Sequence, residues 1–383
     1  MASAHRMRLS TPLAASFALF LLVLEVRADD AFRYPVGRHG LGELRYHHDI
    51  PVLIVRGTHA EMGDQIGTLA LKPAIKAMQL VERFAHRQIP ANLWPVADTA
   101  MLAMYAQFPF EYRQELEGMA EASGVAIKSL AMANTIIDLQ ELVGCSSLMV
   151  AADHSAADAP IYGRNMDLPY VEGLAEFSLL IVYVPNNGHA FAMPNLPGFL
   201  MLASGMNDRG LALGSQSVGP PIDGSSRFEP NGVASGVAGR RLMEECADVD
   251  AVNRWLEKNR LFRCVSIAAC DPVRQAVFEV TTRRVLTRHD DGVCCATNHF
   301  RIPELASSTD CRRYSQLEAL KRINRLDLTD VKNVLHAVSQ GKMTVHSMVF
   351  EPKIQRLHLA MGPGPVTEKS FTLIDLAEHF RRN

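Results

Sequence analysis

The sequence carries no surplus of positive charge: 39 lysines and arginines against 41 acidic residues leave a formal net charge of -2. Without a Lys/Arg-rich run or a zinc-finger spacing there is no field to hold a polyanion, which argues against a nucleic-acid partner. An apolar stretch of the ~20 residues that a spanning helix needs is also missing. The nearest approach, Pro12 to Leu24, is shorter and is interrupted by Glu25. Metal ligation finds little to stand on. His47-His48-Asp49 has no third ligand at a zinc-like spacing, so a solvated loop before a strand is the better reading. A Gly-x-Ser-x-Gly elbow is missing as well: Ser235, in Val233-Ala234-Ser235-Gly236-Val237, has one of the two glycines and fits a helix cap. There is no internal repeat and no low-complexity linker.

What is present begins with an address. Arg6 and Arg8 precede the apolar stretch, and Val26-Arg27-Ala28 followed by Asp29-Asp30 closes it. A positive start, a short apolar core and a small residue at the cut predict a signal peptide over residues 1–28 and an exported protein without a stable membrane anchor. The chain then has seven cysteines: Cys145, Cys246, Cys264, Cys270, Cys294, Cys295 and Cys311. An odd number in an exported chain leaves at least one thiol without an intramolecular partner. The vicinal pair Cys294-Cys295 reads as two half-buried strand residues.

Helical periodicity runs through 58–87, with Pro73 as an interruption, and then through 97–108, 110–122 and 127–140, with Gly124 as a stop. The part before Cys145 is therefore expected to be mainly helical. From Gly144 onward short β-branched and aromatic runs alternate with Gly, Asn, Asp and Pro: 147–152, 161–165, 177–184, 199–204, 211–215, 264–269, 276–281, 285–288, 344–350 and 356–361. Helical blocks over 235–258 and 310–338 lie among them. Strands grouped around helical blocks predict an α+β fold of packed antiparallel sheets covered by helices, in one compact domain.

The chemistry concentrates in Val143-Gly144-Cys145-Ser146-Ser147 and, after an acidic turn, in Ile161-Tyr162-Gly163-Arg164-Asn165-Met166-Asp167. A hairpin between the two runs brings Arg164 and Asp167 back beside the start of the first strand. Arg164 then lowers the thiol pKa from its usual ~8.5. If Cys145 becomes the first residue of a new chain, its own α-amine, of reference pKa near ~7.7, is the base nearest the sulfur, and Asp167 orients it. Gly144 fits a self-cutting bond, since a residue without Cβ lets the sulfur approach and tolerates strain. Asn207, in the Ser204-Gly205-Met206-Asn207-Asp208-Arg209-Gly210-Leu211 turn, and Asn298, in Ala296-Thr297-Asn298-His299-Phe300, offer amide donors to an oxyanion. Taken singly, each has a plainer explanation. Cys145 fits a small buried hydrophobe, Arg164 to Asp167 a strand end, Asn207 a turn residue and Asn298 a structural one.

Their order is what changes the reading. Gly-Cys-Ser-Ser, Gly-Arg-Asn-x-Asp, Gly-Met-Asn-x-x-Gly-Leu and Thr-Asn-His-Phe resemble the acyl-coenzyme A:6-aminopenicillanate acyltransferase family of N-terminal-nucleophile proteins. Its relatives are the choloylglycine and penicillin V hydrolases and the acid ceramidase-like amidases. The resemblance runs from about Ile50 to about Gly364. It includes Gly57-Thr58 through Gly63-Asp64-Gln65-Ile66-Gly67 and His346-Ser347-Met348-Val349-Phe350-Glu351-Pro352.

The resemblance implies an αββα four-layer sandwich, autoproteolysis between Gly144 and Cys145, and cysteine-dependent acyl transfer from an N-acyl amide through a thioester, with no metal or cofactor. Residues 29–144 would be released as a mainly helical segment that stays bound, and 145–383 would begin with the nucleophile. By the same resemblance Cys145 is the nucleophile, Arg164 and Asp167 its neighbours, and Asn207 and Asn298 the oxyanion or amine contacts. The hydrolase relatives also use a late arginine. Arg313 is the nearest match, but it follows Asn298 too closely for that role and reads equally as a helical salt-bridge residue. His299 either contacts substrate or packs at the strand end. The acyl pocket is expected from the helical segment and the Pro194 to Leu202 loop. Hydrolysis and transfer to an amine both remain open, as does homo-oligomerisation. The rival reading is an exported, catalytically silent binding or scaffold protein whose chain stays intact.

Overall fold

The computed structural model describes residues 32–139, 144–307 and 310–382. The signal peptide expected over residues 1–28 lies outside the described residues.

The first helical region opens on a capping box. The Thr58 side chain accepts from the Glu61 backbone, and the Glu61 carboxylate accepts in return from the Thr58 backbone N–H. The helix His59–Ile66 runs on through a π turn, Gly67–Leu71, and Pro73 separates it from Ile75–Gln88. Helices Trp94–Ala106, Phe110–Ser123 and Ile127–Leu139 follow. The second of these stops at Gly124, whose φ of 77° is the left-handed C-cap that glycine allows. His59–Ile66 packs directly on Phe110–Ser123: a Cβ on Gly63 would strike the Glu115 backbone carbonyl. The glycine-rich motif around Gly63 is therefore a close-packing device.

The part before Cys145 is mainly helical, as expected, and also contributes three strands: Gly37–His39, Gly42–His47 and Ile50–Gly57, the last of them the strand expected after His47-His48-Asp49. Ile50–Gly57 is a continuous apolar run without alternation, the pattern of a strand covered on both faces, and it pairs in parallel with Leu179–Pro185. It joins a ten-stranded sheet that continues through Phe191–Asn195, Ser204–Asn207, Ala212–Ser217, Val265–Cys270, Gln275–Val280 and Val285–Arg288. Residues 199–203, expected to begin a strand, form an irregular loop ahead of Ser204–Asn207.

The second sheet has six strands, ordered Val293–Ala296, Gly144–Val150, Ile161–Asp167, Thr344–Glu351, Arg356–Met361 and Thr372–Asp375, all antiparallel. Val52, Leu180, Met206 and Ala268 of the first sheet meet Met149, Tyr162, Met348 and Leu359 of the second in one buried core. On the far face of the second sheet, Leu148, Val150 and Val349 pack under Tyr314, Leu317, Val331 and Leu335 of helices Arg312–Glu318 and Leu328–Ala337. Helices His59–Ile66, Ser235–Glu245 and Val249–Lys258 touch strands of the first sheet. Helix, sheet, sheet, helix is the four-layer αββα order. Its two central layers bury apolar residues against each other, and their outer faces are covered by amphipathic helices.

All seven cysteines are unpaired. Cys294 and Cys295, expected to be half-buried, are both fully buried, on opposite faces of one strand. The first lies in the core between the sheets and the second in the core beneath the helices.

Candidate active site

Alternation along Gly144–Val150 sends Cys145, Ser147 and Met149 toward the space between the sheets, and Ser146, Leu148 and Val150 toward the helices. The neighbouring strand Ile161–Asp167 pairs Gly144 with Asp167, Cys145 with Met166 and Ser147 with Arg164. Residues directly opposite share a face. The hairpin therefore brings a guanidinium onto the thiol's side and returns Asp167 to the glycine that precedes it.

Both groups are fully buried. Arg164 Nη2 donates to Cys145 Sγ at 3.2 Å and to the Ser215 carbonyl at 2.6 Å, Nη1 donates to Ser147 Oγ at 3.0 Å, and Nε donates to Ser204 Oγ. Gln216 completes the cage when its amide oxygen accepts from Arg164 Nη1 (2.7 Å) and Ser147 Oγ (2.6 Å) while its nitrogen donates to the Ser266 carbonyl (2.7 Å). Among the described residues, none of these partners is a carboxylate. A buried cation without a counter-ion is costly. Its ionisable neighbours are Cys145 and Tyr162, and the thiol is intrinsically the more acidic of the two. Of the two, the Cys145 thiol is the neighbour whose anion would complement this charge. In the continuous chain burial raises the Cys145 thiol above its ordinary value, outweighing the downward pull of Arg164, while the charge of Asp167 pushes the same way as burial.

Asp167 is held from the far side. Its Oδ2 accepts from Gln340 Nε2 at 2.5 Å and its Oδ1 from Thr344 Oγ1 at 2.6 Å. Gly144 sits against it, and a Cβ there would meet Gln340 Nε2 at 2.5 Å and Asp167 Cβ at 3.1 Å. Gly144 has no positive φ. Glycine is needed at 144 for room rather than for strained backbone, a correction to the sequence argument.

Asn298 approaches the cysteine from the third strand edge. Its Oδ1 accepts from the Cys145 backbone N–H at 2.9 Å and from Arg313 Nη2 at 2.9 Å, and its Nδ2 donates to the Ser217 carbonyl at 2.9 Å. This is contact with the nitrogen that cleavage would free. Arg313, kept as a candidate despite its spacing, stands in the same cluster: Nη1 donates to the Cys145 carbonyl at 2.6 Å and to Ser146 Oγ at 3.0 Å, and lies 3.7 Å from Asp167 Oδ2. The spacing argument fails because Val293–Ala296 pairs with the cysteine strand, and the helix Arg312–Glu318 folds back over that same strand.

Asn207 is not brought to the cysteine by any of its hydrogen bonds. Its Nδ2 donates to the Met243 and Cys246 carbonyls at 3.0 and 2.8 Å, and its Oδ1 accepts from the Arg209 and Leu211 backbone N–H groups. Its capacity is spent on closing a turn and tying it to the end of the Ser235–Glu245 helix, which corrects the expected oxyanion contact. His299 packs at the strand end as the second of its two readings proposed, with Nδ1 3.1 Å from Thr297 Oγ1, Nε2 3.2 Å from Arg301 Nη1 and its ring beside Tyr314. Burial lowers its pKa, and Arg301 and Arg313 lower it further. Ser147, Ser204, Gln216, Gln340 and Thr344 were missed. Nothing in their local sequence marks them, because the registers of two sheets bring them together. Among the described residues no three His, Cys, Asp or Glu side chains converge as a metal site would require.

Beside Met166 opens an apolar cavity of about 100 Å³, lined by Val81, Phe84 and Ile136 from the helical segment and by Leu196, Phe199 and Met201 from the loop before Ser204. This is where the acyl pocket was expected. A second cavity of about 270 Å³ adjoins it through shared residues including Leu168, Leu196 and His346, and has Tyr170, Glu172 and Lys342 in its walls.

Among known proteins the chain resembles a protein of Archaeoglobus fulgidus of undescribed function, 25% identical over 228 residues, which are 53% of this chain and 36% of that one. The chain thus spans about a third of that relative's length. Solved structures with a similar arrangement include the Caenorhabditis elegans N-acylethanolamine-hydrolyzing acid amidase ortholog, at 18% identity over 55% of this chain and 93% of that one, with a TM-score of 0.43. Another is a C2A mutant of the conjugated bile acid hydrolase from Clostridium perfringens, at 12% identity, 61% and 93% coverage and a TM-score of 0.45. A third is penicillin V acylase from Agrobacterium tumefaciens, at 14% identity, 57% and 83% coverage and a TM-score of 0.34. The pattern of one family fits residues 155–363, more than half of the chain, and takes in Arg164, Asp167, Asn298 and Arg313 around the cysteine. The chain belongs to the acyl-coenzyme A:6-aminopenicillanic acid acyl-transferase family.

Proposed function

We propose that the protein is a cysteine amidase or acyltransferase that first cuts its own chain before Cys145 and then cleaves linear N-acyl amides through a thioester. The observation that carries this reading is the 3.2 Å hydrogen bond from Arg164, buried without a carboxylate partner, to Cys145 Sγ.

In the first reaction Sγ attacks the Gly144 carbonyl carbon and the peptide bond to the Cys145 nitrogen breaks, giving a thioester. Water then releases the Gly144 carboxylate and leaves Cys145 with a free α-amine. Asn298 Oδ1, already bonded to that nitrogen at 2.9 Å, keeps it next to its own sulfur. Its reference pKa near ~7.7 suits a group that must give and take protons near neutrality. In the second reaction the thiolate attacks the substrate carbonyl, the ammonium of Cys145 protonates the departing amine, and the acyl group remains on sulfur. The amine then takes a proton from water or from an acceptor amine as it attacks. The products are a carboxylic acid or a new amide, and the thiolate is restored.

The apolar cavity beside Met166 supports a hydrocarbon or aromatic acyl group. The export signal read in residues 1–28 supports action outside the cytoplasm, away from acyl-coenzyme A donors, and hence water as the acceptor. The test is amine release from a panel of N-acyl ethanolamines, N-acyl amino acids, conjugated bile salts and penicillin V, with acid quenching to trap the acyl-enzyme for mass measurement. At least one amide should release amine and leave its acyl mass on the chain that begins at Cys145. Amine release with equal turnover in Cys145→Ala would refute the assignment.

A further inference from the structure

Cys145, Met166 and His346 stand in one row across three neighbouring strands, because the register pairs Cys145 with Met166 and Met166 with His346. Opposite residues share a face, so the imidazole points into the same inter-sheet space as the thiol, two strand spacings or roughly 10 Å along the sheet. His346 is 1% exposed. Its Nε2 lies 3.2 Å from Ser178 Oγ, while Nδ1 has no hydrogen-bond partner among the described residues. Burial, and then the charge of Arg164, lower its pKa to about 3, so the ring is neutral.

An orphaned ring nitrogen in a packed core is uncommon and calls for a partner. His346 lines both cavities and stands where the apolar inner chamber meets the outer chamber that holds Lys342 and Glu172. The other polar side chain of the inner chamber is that of Asn195, and it is already committed. Its Nδ2 donates to the Phe199 and Met201 carbonyls, and its Oδ1 accepts from the Leu196 backbone N–H. Among the buried side-chain atoms that line either chamber, His346 Nδ1 is the one left unpaired among the described residues.

We infer that His346 is a specificity-determining residue whose Nδ1 hydrogen-bonds a neutral oxygen substituent, a hydroxyl or an oxo group, on an acyl chain that extends from Cys145 past Met166 toward the outer chamber. This rests on Cys145 being the nucleophile. A hydroxyl both donates and accepts, so it satisfies either tautomer of the ring. An oxo group satisfies the tautomer in which the Ser178 hydroxyl donates to Nε2 and Nδ1 carries the proton. A charged substituent is excluded at this point, because a neutral imidazole supplies no counter-charge and the surrounding walls would strip its water. A plain alkyl chain leaves Nδ1 unpaired, the circumstance in which a hydrogen-bonding site rejects the analogue that lacks the group.

The experiment measures kcat/KM for amine release from N-acyl amides of one chain length, unsubstituted and with a hydroxyl moved carbon by carbon. Wild type is expected to favour at least one isomer over the plain chain by about tenfold or more. His346→Phe, similar in shape but without ring nitrogens, is expected to bring that ratio to within about twofold, and His346→Gln to recover part of it. A wild type that treats all isomers like the plain chain overturns the inference, as does His346→Phe with the ratio intact. Calorimetry on wild type alone serves if the phenylalanine variant does not fold: the preferred free hydroxy acid should bind about tenfold more tightly than the plain acid, and equal binding overturns the inference. Equal release of amine from plain and hydroxylated chains leaves the nucleophile standing and removes only the histidine's role. No release from any amide removes both.

Discussion

Replacing Arg164 by methionine keeps much of the side chain's length and removes its charge. At the 3.2 Å that separates Nη2 from Sγ, a unit charge pair contributes about 5 kcal/mol at an effective dielectric of about 20. The guanidinium charge is spread over three nitrogens, so roughly 4 kcal/mol is the working figure. Each ~1.4 kcal/mol is a factor of ten in rate. Steps that need the thiolate should therefore slow about a thousandfold, self-cleavage and amide turnover alike. Two assays read this: the rate at which two chains appear on a denaturing gel, and the rate of alkylation of Cys145 by iodoacetamide as pH is raised. Folding is expected to survive, because the unpaired Ser147, Ser204 and Ser215 groups cost a few kcal/mol while a buried charge is removed. Arg164→Lys keeps the charge without the fork and should fall between the two. Self-cleavage and alkylation of Arg164→Met within about tenfold of wild type at neutral pH would refute the reasoning.

Three further outcomes follow from the same structure. Arg240 is buried among the Tyr183, Phe191 and Tyr112 rings and pairs with Glu115 and Glu244, joining helix Phe110–Ser123 to helix Ser235–Glu245. Arg240→Met should cost about 3–5 kcal/mol in urea unfolding and let the two processed chains separate at lower urea in gel filtration, since it strands a buried Glu115. Asn207→Ala should lower stability by about 1–3 kcal/mol and leave self-cleavage near the wild-type rate; slow cleavage with an unchanged urea midpoint would restore it to the active site. The folded-state pKa of His346, about 3, is below the ~6.5 of an unfolded histidine, so the unfolded chain takes up this proton first. Its contribution to stability is whole above pH ~6.5 and drains as pH falls toward 3, by up to about 4–5 kcal/mol. The acid limb of the urea midpoint should accordingly be shallower in His346→Phe than in wild type, and identical limbs would contradict this.

Local signals carried much of the architecture. Gly124 and Pro73 punctuate the helices where the chain says they should. The hairpin between Cys145 and Asp167 is legible because its two strands are adjacent in sequence and joined by a polar turn. Of the three early strands, the one after His47-His48-Asp49, Ile50–Gly57, was legible, while Gly37–His39 and Gly42–His47 were not, being short and largely polar. The doubt over Arg313 failed for a different reason. Counting residues from Asn298 treats the chain as a line, whereas helix Arg312–Glu318 turns it back over the cysteine strand. Asn207 misled in the opposite sense, since a buried turn asparagine with four hydrogen bonds looks the same in sequence as one aimed at a substrate. The cage of Ser147, Ser204 and Gln216 around Arg164 depends on how two sheets are set against each other, which no local pattern encodes.

The account turns on whether Cys145 ever acquires a free amine, and intact mass measurement of the purified protein decides it. Two masses that meet between Gly144 and Cys145 in wild type, and a single unbroken mass in Cys145→Ala, are the predicted result. One unbroken mass in both proteins, under conditions where wild type is folded, would contradict it.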